Sequence, residues 1–138
     1  MSVAAELASL AGLLAELDAT DRLEILTDYA SRLPALDPAW APARDAGLHM
    51  VLECQSPVFF VARLADGRVE IHADVPAEAP VARGFVSLLI TLFDGAPAES
   101  LREAPANILD RLGLSEALGM RRRHGLGAIY RRLLEAGA

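Results

Sequence analysis

A β-hairpin predicted in the middle of the chain restricts the possible folds more than any other part of the sequence. Residues 58–64 form a β-branched and aromatic run, and Asp66-Gly67 follows as a dipeptide typical of a tight turn. Residues 68–73 then alternate between polar and apolar side chains, as expected for a strand with one buried face. The apolar members of this second run are Val69, Ile71 and Ala73.

A short third strand is expected just before the hairpin, at Val51 and Leu52. The polar segment Glu53-Cys54-Gln55-Ser56-Pro57 would form the bend between this strand and the hairpin. We therefore expect Cys54 to lie on a loop at the edge of a sheet of about three strands.

Helical patterns lie on both sides of the hairpin. Residues 3–17 predict a first helix, and a second begins after Thr20 as its N-cap and stops at Pro34. Residues 36–48 have no clear period and predict an irregular connection.

Three further helices are predicted after the hairpin. A long apolar helix follows Pro76, a shorter one covers about residues 105–112, and the last begins near Gly125. The order predicts an α+β fold, in which a small antiparallel sheet is flanked by N- and C-terminal helices. A chain of 138 residues is of single-domain size, so we predict one domain over residues 1–138.

Charge and hydropathy exclude several classes of protein. The formal net charge of −6 argues against general nucleic-acid binding, which needs a clustered excess of cations. The apolar run at residues 2–17 lacks a basic start and contains Glu6 and Glu16, unlike a signal peptide. No stretch is long and uncharged enough to span a bilayer, so no membrane association and a cytoplasmic location are expected.

Cys54 is the single cysteine, and it is the candidate nucleophile because a thiolate both attacks and leaves readily. It cannot form an internal disulfide, and it could instead be a buried cysteine that behaves as a small apolar residue. A redox sensor is a further alternative, although no second cysteine could resolve an oxidised one. His49, His72 and His124 show no zinc-ligand spacing, so no metal site is predicted.

A basic run at Arg121-Arg122-Arg123-His124 precedes the predicted last helix, where the helix dipole disfavours cations. These side chains could be solvated or paired with surface carboxylates, or one of them could reach an anionic partner. The sequence has no glycine-rich phosphate loop, no G-x-S-x-G or H-E-x-x-H motif and no paired cysteines. Hydrolase, kinase and dehydrogenase activities are therefore not predicted.

Several segments, in order along the chain, resemble the SufE/CsdE family. H-M-V-L-E-C-Q-S-P-V-F at residues 49–59 is similar to the family pattern G-C-x-S-x-V-W and the strand before it. E-A-P-V-A-R-G-F at residues 78–85 resembles D-A-P-I-V-R-G-L, and residues 122–126 resemble S-R-x-x-G-L with Arg122 at the arginine position. Leu33-Pro34 and Asp66-Gly67 are also similar, so the resemblance covers nearly the whole chain.

The resemblance implies a fold akin to the IscU-type scaffold and a role beside a pyridoxal-phosphate cysteine desulfurase. Cys54 would accept sulfur as a persulfide, stimulate the desulfurase and pass the sulfur to an iron–sulfur scaffold. The pyridoxal phosphate would belong to the partner, so no cofactor is expected here. The protein would act as a sulfur-transfer accessory protein rather than as a stand-alone enzyme.

The same resemblance implies roles for residues around Cys54. Gln55 and Ser56, together with Glu53, would shape the loop, and His49, Glu78 and Arg122 would support a partner surface. Glu53 replaces the family glycine before the cysteine, and its charge should raise the pKa of Cys54 unless an arginine such as Arg122 offsets it. This replacement also keeps open an alternative, a diverged docking regulator of a desulfurase or scaffold that carries no sulfur.

Overall fold

The computed structural model describes residues 2–138, in which seven α-helices surround one two-stranded antiparallel sheet. The α+β fold predicted from the sequence is confirmed. Short 3-10 helices cover Tyr29–Arg32 and Pro38–Trp40. The remaining elements are α1 (Val3–Ala15), α2 (Ala19–Asp28), α3 (Ala41–Asp45), β1 (Phe59–Ala65), β2 (Arg68–Asp74), α4 (Pro80–Phe93), α5 (Glu99–Glu103), α6 (Ile108–Arg111) and α7 (Ser115–Glu135).

The central hairpin forms as its turn residues predict. Strands β1 and β2 pair in a register that runs from Phe59 opposite Asp74 to Ala65 opposite Arg68. Asp66 and Gly67 both have positive φ, at 53° and 77°. Such angles suit a two-residue hairpin turn whose twist matches the strands, and Asp-Gly tolerates them well.

The prediction of a third strand is wrong. Before β1, the chain forms only an isolated bridge between Met50 and Phe59 within the described residues. The two bonds of this bridge run from Val51 N–H to Val58 O over 2.9 Å and from Phe60 N–H to His49 O over 3.1 Å. The chain then turns, because Cys54 N–H donates to Val51 O over 3.2 Å, and the pairing stops at this single bridge.

The helices also differ from the sequence pattern at several points. The N-cap of α2 is Asp18, whose carboxylate accepts a bond from Asp21 N–H over 2.8 Å, and not Thr20. The connection at residues 36–48 contains a 3-10 helix and α3. Helix α7 starts before Gly125 and is kinked at Gly119, where φ is 75° and ψ is 167°.

Helix α4 forms the centre of the core. It packs against α1, α2, α7 and β2, and Phe85 and Leu89 have 0% of their surface exposed. The crossing with α2 is close, since a Cβ on Gly84 would overlap Leu26 O. Other fully buried side chains are Phe59, Phe60, Phe93, Leu88, Ile129 and Leu133.

Two arginine side chains link secondary-structure elements by hydrogen bonds to backbone carbonyls. Arg22 donates to Leu14 O over 2.7 Å and to Gly113 O over 3.1 Å, which satisfies a carbonyl at the end of α1 and joins it to the segment just before α7. Arg83 on α4 donates to Ala30 O over 3.0 Å.

No helix within residues 2–138 has both the length and the hydropathy needed to cross a membrane.

Candidate functional site

The Cys54 loop is held against α7 by a glycine. A Cβ on Gly125 would lie 3.1 Å from Cys54 Sγ and 3.4 Å from Glu53 O. An added methyl group would force Cys54 Sγ to move by a few tenths of an ångström, because a Cβ contact of 3.1 Å is tighter than normal packing. Gly125 is therefore the residue that lets the cysteine lie against the helix.

A cavity of about 210 Å³ opens beside Cys54, where the loop, the start of α4 and the middle of α7 meet. Three separate stretches of sequence thus build one site. Its walls are formed by Cys54, Gln55, Ser56, Glu78, Ala79, Pro80, Val81, Ala82, Arg121, Arg122, Gly125 and Leu126.

The structure brings most of the predicted site residues together but separates two of them from the cavity. Cys54, Gln55, Ser56, Glu78 and Arg122 all line it, and their roles stay predictions. Glu53 is exposed and adjoins Cys54 without lining the cavity.

His49 lies apart from this cavity, at the other end of the loop segment. Its ring meets Trp40 edge-on at 6.2 Å between centroids and Phe59 at 6.0 Å. Its backbone has a φ of 58°, and its carbonyl oxygen accepts bonds from Phe60 N–H and from Arg132. The contacts of His49 are thus with the hairpin and α7 rather than with the cavity.

The electrostatic surroundings of Cys54 favour the neutral thiol. Burial raises the pKa of Cys54 to about 11, the negative charge of Glu53 adds to the increase, and Arg132 opposes it. The expected effect of Glu53 on this pKa is therefore present. The arginine that offsets it is Arg132, where the sequence had suggested Arg122.

Arg132 was not anticipated from the sequence, although it makes the main polar link between α7 and the start of the Cys54 loop. Its guanidinium donates to His49 O over 3.1 Å and to Met50 O over 2.7 Å. One arginine among several on a helix has no sequence signal for such a bond. Gly125 does have one, because a glycine inside an apolar helical pattern often marks a close approach.

No group of three or more His, Cys, Asp or Glu residues within residues 2–138 is placed to hold a metal ion. His72 Nε2 lies 2.6 Å from Glu70 Oε1, on the hairpin. His124 is exposed on α7. His49 and His72 both pack against Trp40, whereas His124 lies on α7.

Comparison with known proteins agrees with this arrangement. The sequence profile of the SufE family, described as an Fe-S metabolism associated domain, matches residues 8–136. An uncharacterized SufE-like protein of Mycobacterium tuberculosis, found in two strains, is 37% identical over 140 residues, covering 98% of this chain and 96% of the relative.

A solved structure with the same fold comes from Thermus thermophilus and is described as the solution structure of a hypothetical protein. It is 30% identical, with a TM-score of 0.78, and the match covers 95% of this chain and 92% of the other. The family profile, the relatives and the shared fold all cover nearly the full length. The chain therefore belongs to the SufE family, whose domain is associated with iron–sulfur metabolism.

Proposed function

We propose that the protein accepts sulfur from a pyridoxal-phosphate cysteine desulfurase onto Cys54 and passes it to iron–sulfur cluster assembly. The observation that carries this proposal is the position of Cys54, the chain's single cysteine, at a cavity lined by family-like segments. Membership of a family associated with iron–sulfur metabolism supports the same role.

The proposed reaction is a thiol exchange that needs no added oxidant or reductant. The Cys54 thiolate attacks the terminal sulfur of the desulfurase's cysteine persulfide, and the sulfur–sulfur bond of that persulfide breaks. The desulfurase cysteine leaves as a thiolate, while Cys54 becomes the persulfide. A second exchange of the same kind transfers the sulfur to an iron–sulfur scaffold.

The resting structure holds Cys54 in a protected form. A thiol with a pKa of about 11 is almost entirely protonated at neutral pH and therefore a poor nucleophile. We infer that partner docking moves the loop away from Gly125, which relieves the desolvation that contributes most to the raised pKa. In this mechanism, Gln55 and Ser56 shape the loop, and Glu78 and Arg122 contact the partner at the cavity.

The experiment that tests the carrier role is intact mass spectrometry after incubation with a cysteine desulfurase and cysteine. Wild type should gain the mass of one sulfur that a reductant removes, and Cys54→Ser should gain none. If wild type binds the desulfurase but gains no sulfur, the carrier role is wrong for that enzyme.

A second candidate is a docking regulator that stimulates the desulfurase without carrying sulfur. Glu53 favours it, because this residue adds a negative charge beside a group that must become negative to react. Desulfurase turnover with Cys54→Ser separates the two functions. A carrier loses its stimulation with this variant, whereas a docking regulator keeps most of it.

A further inference from the structure

The arginines of this protein fall into two groups. All 13 of its basic residues are arginines, and most of them bond to carbonyls or carboxylates or stack on an aromatic ring. In the described part of the chain, five form no such contact, and four of those five lie on α7. The five are Arg111, Arg121, Arg122, Arg123 and Arg131.

These α7 arginines belong to an exposed cationic segment of the helix, which we call the α7 ridge. It consists of Met120, Arg121, Arg122, Arg123, His124 and Arg131, all of them exposed. None of its charged side chains forms a salt bridge within residues 2–138, although the chain contains 19 acidic residues. The chain has a net negative charge, yet no ion pair among the described residues neutralises its densest group of positive side chains.

The α7 ridge lies between two cavities. Arg121 and Arg122 line the Cys54 cavity, while Arg123, His124 and Arg131 line a second cavity of about 500 Å³. The guanidinium groups therefore point toward both sides of the helix that carries Gly125. A ligand bound at Arg121 or Arg122 would therefore lie beside Cys54.

Apolar surface accompanies these charges. Met120 is 79% exposed on the α7 ridge, and Leu52, two residues before Cys54, is 86% exposed. Protein interfaces commonly combine arginine and methionine in this way, because arginine pairs with carboxylates while its stem and methionine bury apolar area. The surface around Cys54 has the composition of a protein-binding surface.

We propose that the α7 ridge is a docking surface for an acidic segment of a partner protein and that this contact orients the partner over Cys54. Planar guanidinium groups match carboxylates with two parallel hydrogen bonds each, which fixes direction as well as attraction. The exposed Met120 and Leu52 add apolar area that suits a protein partner better than a nucleic acid. The inference deepens the proposed function and rests on it for the identity of the partner as a sulfur donor or recipient.

The test is a titration of the full-length, isotopically labelled protein with an oligoglutamate peptide, followed by amide NMR shifts at low salt. Shifts should concentrate at residues 120–131 and weaken as salt shortens the screening length, which is about 10 Å at about 0.1 M. The triple variant Arg121→Gln, Arg123→Gln, Arg131→Gln should bind at least about tenfold more weakly. Shifts spread over the whole surface, or equal affinity of the triple variant, would overturn the proposal.

The control is Arg111→Gln, which removes an equally unpaired arginine on α6 that does not line either cavity beside the ridge. Its affinity should stay within about twofold of wild type, because the lost charge is not part of the docking surface. A second titration uses a single-stranded oligonucleotide of the same charge as the peptide. If the oligonucleotide binds the α7 ridge more tightly than the peptide does, the proposal of an acidic protein partner is wrong, and the ridge binds nucleic acid.

Failure of this inference can be told apart from failure of the carrier role. Oligoglutamate binding needs no sulfur chemistry, so Cys54→Ser should bind the peptide like wild type. If the peptide binds the α7 ridge but Cys54 never gains sulfur, docking stands and the carrier role fails. If Cys54 gains sulfur but the peptide does not bind the α7 ridge, the carrier role stands and docking at the ridge fails.

Discussion

At the scale of single residues, Cys54 lies between two opposite charges from different parts of the chain. Glu53, its neighbour in sequence, raises its pKa, and Arg132, from α7, lowers it. Arg132 also holds the backbone just before the loop through its bonds to His49 and Met50. The reactivity of Cys54 should therefore report on each charge separately.

Alkylation of Cys54 by iodoacetamide should show a raised pKa. Because only the thiolate reacts, the alkylation rate should increase about tenfold per pH unit. The rate should still rise above pH 9.0, the pKa of an unperturbed thiol, and level off only near the raised pKa of about 11. Glu53→Gln should shift the profile to lower pH and speed the reaction at pH 8 about threefold or more. A plateau near pH 9.0 in wild type would contradict the partly buried thiol of this structure.

Substitution of Arg132 should act in the opposite direction. Arg132→Gln removes the charge that opposes Glu53, so alkylation at pH 8 should slow by about twofold to fivefold if the loop stays in place. It also weakens two bonds to the loop segment, which amide hydrogen exchange at residues 49–54 would detect as faster exchange.

Arg132→Lys separates the two effects of this residue. Lysine keeps the positive charge but cannot reproduce the paired hydrogen bonds that the guanidinium donates to His49 O and Met50 O. Its alkylation profile should therefore stay near that of wild type, while exchange at residues 49–54 still increases. If Arg132→Gln leaves both the profile and the exchange unchanged, Arg132 does not position the loop.

At the scale of secondary-structure elements, the contact between the Cys54 loop and α7 depends on Gly125. Gly125→Ala should displace Cys54 from the helix, because the new Cβ would lie only 3.1 Å from Cys54 Sγ. Displacement exposes the thiol, so alkylation at pH 8 should accelerate by about threefold or more as desolvation is relieved.

Gly127 on the same helix offers a matched control, because the atom nearest to its added Cβ is Arg131 Nη1 at 3.7 Å. Gly127→Ala should stabilise the protein by about 0.5–1 kcal/mol through helix propensity and leave Cys54 reactivity unchanged. Equal alkylation rates in Gly125→Ala and Gly127→Ala would show that Gly125 does not hold the loop.

Elements defined by local patterns were predictable from the sequence. The hairpin follows from Asp66-Gly67 and the alternation after it, and α4 follows from its apolar period. The prediction of a third strand failed because Val51 is apolar like a strand residue, whereas the pairing stops at the single Met50–Phe59 bridge and Cys54 N–H then bonds to Val51 O. Local patterns do not specify such a long-range choice of partner.

Thiol chemistry alone predicted Cys54, the single cysteine, as the candidate nucleophile, whereas the other site residues were predictable only through the family resemblance. The resemblance identified Cys54, Gln55, Ser56, Glu78 and Arg122, which the structure places around one cavity. The contact of Gly125 and the bonds of Arg132 depend on how α7 crosses the loop. The non-helical Gly119 likewise places the basic run in the first turn of the helical segment that follows it, which a periodic pattern alone did not show.

At the scale of the whole molecule, the site is assembled from three distant stretches, so its shape depends on how the helices pack. The cavity includes the first turn of α4, and α4 is positioned by its close crossing with α2 at Gly84. Stability and site geometry are therefore linked through this crossing. Two glycine substitutions with opposite expected effects can test the link.

Gly84→Ala should destabilise the fold by about 2 kcal/mol or more, because its Cβ would overlap Leu26 O and lie 3.3 Å from Thr27 Cα. Gly12→Ala in α1 meets no atom within 4 Å and should stabilise by about 0.5–1 kcal/mol. Urea unfolding of both variants gives the two free energies of unfolding. Since both changes add one methyl group to a helix, equal effects would mean that α2 and α4 do not approach this closely, and the position of α4 beside Cys54 would need another cause.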